Sequence, residues 1–163
     1  ATHRANSFSF RPIKEVAWLF LGIFLTMVPV LDLMQLHAGR LAIESPMQFF
    51  WLTGTLSSVL DNAPTYLTFL SNALGRLNLS VESPADVHQF LTTAGAREAA
   101  AISMGAVFFG AATYIGNSPN FMIKAIVEQQ KLPSPGFFGF ILRYSLPVVL
   151  PIVSLVAFLC FRN

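Results

Sequence analysis

Four apolar blocks separated by short polar stretches make up most of this chain. Residues 15–36 are apolar nearly throughout. At 1.5 Å per residue such a block crosses a hydrocarbon core about 30 Å thick, so it predicts a transmembrane helix. Arg11 and Lys14 flank its start, Asp32 falls at the interface near its end, and Pro29 marks a kink that neighbouring helices can accommodate. The last block, residues 137–161, predicts a second full span, bent at Pro147 and Pro151.

The two middle blocks are of another kind, because polar residues and proline interrupt each of them. In residues 46–74 the interruption is Asp61-Asn62-Ala63-Pro64, between arms at Gln48–Leu60 and Thr65–Asn72. An arm of roughly 12 helical residues reaches about 18 Å, just past the bilayer midplane. Length alone admits one broken span or a re-entrant hairpin that enters and leaves on one side. Asp, Asn and Pro together favour a turn, hence a hairpin. Residues 98–130 are too long for one straight span and are interrupted at Gly116-Asn117-Ser118-Pro119-Asn120. Ser118 and Pro119 read there as N-cap and first residue of a fresh half-helix. Upstream, Ala101, Gly105, Ala106 and Gly110 recur at helical spacing, a small-residue face that lets helix backbones approach closely.

Between these blocks, residues 75–97 are a loop carrying one interfacial helix. Ser83 caps it, Pro84 is its first residue, and Asp86 stands in its first turn. Val87, Phe90 and Leu91 share its apolar face, and His88 reads as a solvated surface residue rather than a ligand. Residues 131–136, with two prolines, form a turn. The predicted fold class is therefore an all-α membrane protein: three transmembrane helices, one of them broken mid-membrane, plus a re-entrant helical hairpin.

Composition agrees with the membrane reading. Hydrophobic residues are 54% of the chain and charged residues 11%, where soluble domains carry about 25%. Mean hydropathy is +0.60, and the 16 Phe of 163 residues are spread through every apolar run. A net charge of +2 is too small and scattered for a nucleic-acid partner; the expected surroundings are membrane lipid. Cys160, the single cysteine, allows no internal disulfide and no multi-cysteine metal site, and reads as a small apolar packing residue near a helix end. The chain opens without Met and without a signal-peptide pattern, so it reads as a segment of a longer protein.

Lysine and arginine near span ends give the orientation. With the hairpin, three full crossings gather Arg4, Arg11, Lys14, Lys124, Lys131 and Arg143 on one side, and Arg40, Arg76, Arg97 and Arg162 on the other. The positive-inside rule then makes the N-terminus cytoplasmic. Letting the second block cross fully moves Lys131 outward and weakens the bias.

Irregular backbone at membrane depth survives only where protein buries it or where it lines a cavity, and discontinuous helices of this kind bind ions or solutes at the midplane of secondary transporters. Asp61 is the one carboxylate near the centre of an apolar block. An acid there costs about 2.5–3.5 kcal/mol on insertion scales. It either caps the second arm or binds an ion or proton directly. The half-helix after Pro119 directs partial positive charge at the break, suiting a carboxylate or other anion. Lys124 reads as snorkelling toward the cytoplasm, and Glu128 and Lys131 as a weak surface pair.

The order span, hairpin, broken helix, span, with Ser58-Val59-Leu60-Asp61-Asn62-Ala63-Pro64-Thr65 at the hairpin and Gly110-Ala111-Ala112-Thr113-Tyr114-Ile115-Gly116-Asn117-Ser118-Pro119-Asn120 at the break, resembles one repeat of the ion transporter superfamily. That superfamily includes carriers of citrate and other carboxylates, arsenite permeases and NhaD-type sodium/proton antiporters. The two motifs look most like bacterial proteins labelled citrate transporter or sodium:proton antiporter. The resemblance implies two inverted repeats, of which this chain would be the C-terminal one, with an N-terminal partner repeat elsewhere in the protein. It implies a bacterial inner-membrane location, and such relatives are often homodimers. By resemblance, Asp61, Asn62 and Thr65 occupy the hairpin tip of an ion- or substrate-binding site. Thr113, Gly116, Asn117, Ser118 and Asn120 occupy the break, with Pro64 and Pro119 as hinges. Sodium is the ion these hard oxygen donors suit; no other cofactor or metal is expected.

Three functions follow as expectations. Ion-coupled sodium/proton antiport through Asp61 comes first, and sodium- or proton-coupled uptake of citrate or another di- or tricarboxylate is the alternative. Against the alternative, this half offers no cation at membrane depth to neutralise several carboxylates. A structural membrane subunit or membrane enzyme is the remote third. No Ser-His or Cys-His pair lies at depth, and His3, His37 and His88 fall in flanks or loops.

Overall fold

The computed structural model describes residues 10–37, 43–93 and 95–162, with the side chains of residues 11, 12, 35 and 118 outside that description. Arg4, Arg40 and His3, used above for orientation and for excluding an enzyme, therefore lie outside the described residues. Everything regular among them is helical. Helix α1 is Arg11–Leu36, α2 Pro46–Ser57, α3 Asn62–Gly75, α4 Pro84–Thr92, α5 Ala96–Phe109 and α6 Ser118–Gln129; α7 covers Phe137–Phe161.

Among the described residues, two helices are long and apolar enough to cross a membrane: Ile13–Met34 within α1, at mean hydropathy 2.1, and α7, at 2.2. α1 starts at Arg11, a turn before the apolar block itself, and holds Pro29 in its interior. In α7 Pro147 is absorbed by a π-helical stretch, Ile141–Val149, and Pro151 falls in the first turn of the α-helical segment that follows, Leu150–Phe161. Widened turns tolerate a missing N–H, and such stretches frequently sit at functional sites.

α2 starts at a complete capping box. Ser45 Oγ accepts from Gln48 N at 3.3 Å while Gln48 Oε1 accepts from Ser45 N at 3.1 Å, and Pro46 supplies the first helical residue. The helix ends at Ser57, and the chain then turns back. Arg76, just past the end of α3, lies over the ring of Phe49 near the start of α2, 5.8 Å from its centroid, so α2 and α3 are antiparallel neighbours. Arg76 also pairs with Glu98 at 3.4 Å, which brings the start of α5 to the same end of the bundle.

α2 and α5 pack backbone against backbone, and missing side chains permit it. A Cβ on Gly105 would lie 2.6 Å from the Phe50 carbonyl oxygen and 3.2 Å from Gly54 N. Ala101, Gly105, Ala106 and Gly110 are all buried, so the small-residue stripe is a packing face. Around it, Phe50 packs against Phe109 and Phe161 at 5.6 and 5.4 Å, and Trp51 against Phe109 at 5.5 Å. α1 lies against α3, where Ser71 Oγ donates to the Leu31 carbonyl at 3.2 Å and Asn72 Nδ2 to that of Met34 at 3.4 Å. α1 itself buries none of its most apolar stretch inside the chain.

α4 begins as its sequence indicates, with Ser83 Oγ accepting from Asp86 N at 3.3 Å. Phe90 is fully buried against Gly95, and His88 is exposed, as a solvated surface residue should be. Cys160 differs from expectation: it is exposed, because α7 turns Val153, Ala157 and Phe161 toward the bundle and leaves position 160 outside.

Candidate functional site

The turn between α2 and α3 and the break between α5 and α6 meet. Asp61 is the N-cap of α3, its Oδ1 accepting from Asn62 N at 2.9 Å. Thr65 Oγ1 donates to the Asp61 carbonyl at 3.0 Å, and Thr68 Oγ1 to that of Pro64 at 2.8 Å. Asp61 thus performs the capping role and also lines a cleft.

Asn62 joins the two motifs. Its amide is oriented with Nδ2 toward the Gly116 carbonyl, Ser57 Oγ and the Ala106 carbonyl, each 2.9 Å away; the reverse orientation would set its oxygen against acceptors. Ser57 Oγ donates onward to the Ala106 carbonyl at 2.6 Å and accepts from Asn62. From the other side, Thr113 Oγ1 donates to the Ser58 carbonyl and accepts from Ile115 N at 3.2 Å and Gly116 N at 3.0 Å. A Cβ on Gly116 would come within 2.4 Å of the Ser57 carbonyl oxygen, and one on Gly110 within 2.3 Å of the Asn62 amide. The seam between the motifs closes only because both positions are glycine.

Asn117, not Ser118, is the N-cap of α6, which shifts the expected start by one residue; Pro119 becomes its second residue. Backbone geometry decides this, since Asn117 is extended (φ −147°) and its side chain makes no capping bond. The Ser118 side chain lies outside the described residues. Sequence reasoning passed over Ser57, Ser58 and Ser145. Ser145, in the π-helical stretch of α7, donates to the Ala112 carbonyl and docks the last span on the break. A serine beside Pro147 in an apolar run was the available signal.

Two clefts flank the break segment. The first, about 310 Å³, opens between α1 and the turn that joins α2 to α3. Asp61, Thr26, Thr65 and Thr68 supply its polar atoms, in a wall otherwise apolar that includes Pro64 and Ile115. The second, about 330 Å³, lies on the other side, among α6, residues 133–135 and α7. It is lined by Tyr114, Asn120, Lys124 and Ser134. The Lys124 side chain folds onto the protein. Its ammonium sits 4.7 Å over the Tyr114 ring, contacts Glu128 directly, and donates to Ser134 Oγ at 3.1 Å. Glu128 therefore pairs with Lys124 one turn back, not with Lys131. The structure brings Asp61, Asn62, Thr65, Thr113 and Gly116 into one neighbourhood and sets Asn120 in the second cleft.

An interrupted helix stitched to a polar turn, inside a bundle with long apolar helices, fits a membrane transport protein. The comparison with protein families gives the particular one. A family model described as "Putative citrate transport" matches residues 1–161, and the chain belongs to that family. No curated protein and no solved structure matches it. Family and apolar helices together make it an integral membrane protein of transport type.

Proposed function

We propose that the chain is the C-terminal repeat of an ion-coupled carrier of citrate or a related carboxylate, working in the bacterial inner membrane with residue 1 on the cytoplasmic side. The observation that carries this reading is the seam between hairpin tip and helix break, flanked by one cleft holding a carboxylate and another holding an ammonium. α2 and α3, antiparallel and each too short to span, form the re-entrant hairpin; α5 and α6 form the broken span. Asp61 with the threonine oxygens of the first cleft suits a small hard cation, sodium or a proton, as the coupling ion. The α6 N-terminus, with Asn117 and Asn120, suits the anion. Pro64 and Pro119 stand in the first turns of the two half-helices that meet at the seam and would act as its hinges. The missing repeat would complete both sites, and homodimers are the expected assembly.

The test uses the full-length protein reconstituted in sealed vesicles, following radiolabelled citrate with and without sodium or proton gradients. Citrate should accumulate in response to one of those gradients, and Asp61→Asn should abolish the coupling while the protein still inserts. No citrate flux under any gradient would sink the reading. Sodium/proton exchange without a carboxylate is the second reading, favoured by Asp61 facing a cleft of its own. Cation-driven pH changes without citrate flux would select it.

A further inference from the structure

The second cleft has a specific chemistry that the seam does not explain. Lys124 and Asn120 stand one turn apart on one face of α6, about 6 Å along the axis. The Tyr114 ring supports the ammonium from below, and Ser134 Oγ donates to Glu128 Oε1 at 3.2 Å as well as accepting from Lys124. The ion pair is asymmetric. The Lys124 side chain is 16% exposed, whereas that of Glu128 is 56% exposed. Breaking such a pair from the cation's side would strand a poorly solvated charge, but the carboxylate can return to solvent at little cost.

We propose that Lys124 is the carboxylate-binding cation of this carrier, and that Glu128 is a resident carboxylate which the substrate displaces. This rests on the carboxylate-carrier reading above. The incoming anion takes one carboxylate to the Lys124 ammonium, while a second, a few ångströms away, reaches Asn120 and the first-turn amides of α6. The spacing selects a small di- or tricarboxylate over a monocarboxylate. Glu128 swings out, keeps its charge solvated, and returns when substrate leaves, so the cleft never holds an uncompensated ammonium. This also answers the objection that the chain lacks a cation for the substrate: the cation is present, covered by its own counter-ion.

The experiment measures citrate KM and maximal rate for the full-length protein in proteoliposomes. Lys124→Met should raise KM about tenfold or more, the loss expected for one charge-assisted contact, and Lys124→Arg should restore most of it. Glu128→Gln should lower KM several-fold, because a competing carboxylate is gone. A purely structural latch predicts the opposite for that variant, since either substitution breaks the pair. An unchanged KM in Lys124→Met, or a KM raised by Glu128→Gln, overturns the proposal. If Lys124→Met fails to insert, Glu128→Gln and Lys124→Arg decide on the same signs. Wild-type protein that moves no carboxylate would remove the carrier reading and this inference with it; wild-type flux with an unaltered Lys124→Met KM removes this inference alone.

Discussion

Asn62 shows how one side chain can hold two distant stretches of sequence together. Its two amide hydrogens serve three acceptors, two of them backbone carbonyls from the α5–α6 region, on residues that are buried. Truncating it leaves the Gly116 carbonyl and Ser57 without their donor. Asn62→Ala should destabilise the protein by about 2 kcal/mol, seen as a lower thermal midpoint in detergent, while Thr65→Ala, losing a bond within its own helix, should lower it less. The motif Asp-Asn-x-Pro signalled a helix start and a polar turn. It did not signal that the asparagine points across the seam rather than into the cleft, because that depends on a partner, Gly116, far downstream in the chain.

At the scale of elements, the α2–α5 contact depends on the absence of side chains. Gly105→Leu would drive a side chain into the Phe50 carbonyl and force the helices apart, with a cost of at least about 1–3 kcal/mol. At Gly22, in the middle of α1, an added methyl would meet nothing within 4 Å, so Gly22→Ala should be neutral or stabilise by up to about 1 kcal/mol. Expression and thermal midpoints of the two variants measure the contrast; equal effects would mean that α2 and α5 are not packed this closely. The stripe Ala101, Gly105, Ala106, Gly110 was legible in sequence because helical periodicity is local. Its partner, Gly54 on α2, was not, since an isolated glycine in an apolar helix carries no address.

For the whole molecule, the consequential question is how the chain crosses the bilayer. With a hairpin, residues 44 and 82 face one side and residue 132 the other; with a full second crossing, residues 44 and 82 are separated. In a Cys160→Ser background, Glu44→Cys and Glu82→Cys should be labelled by an impermeant thiol reagent from the same side, and Leu132→Cys from the opposite one. Labelling of residues 44 and 82 from opposite faces would exclude the hairpin. The background substitution is needed because Cys160 is itself exposed.

Alternation of apolar blocks with proline-ended polar interruptions was enough, by itself, to determine an all-helical membrane chain with two special breaks, since span length, turn chemistry and the cost of burying Asp61 are local properties. Helix starts fell close to their expected positions for the same reason; Asn117 replaced Ser118 as cap only because backbone geometry, invisible in composition, selects the cap. Tertiary structure alone decided which groups meet. It brought the two motifs into one seam, recruited Ser57, Ser58 and Ser145 to it, and laid the Lys124 ammonium over the Tyr114 ring. The seam contacts need glycine at positions 110 and 116 and span tens of residues, so no short sequence window contains both partners.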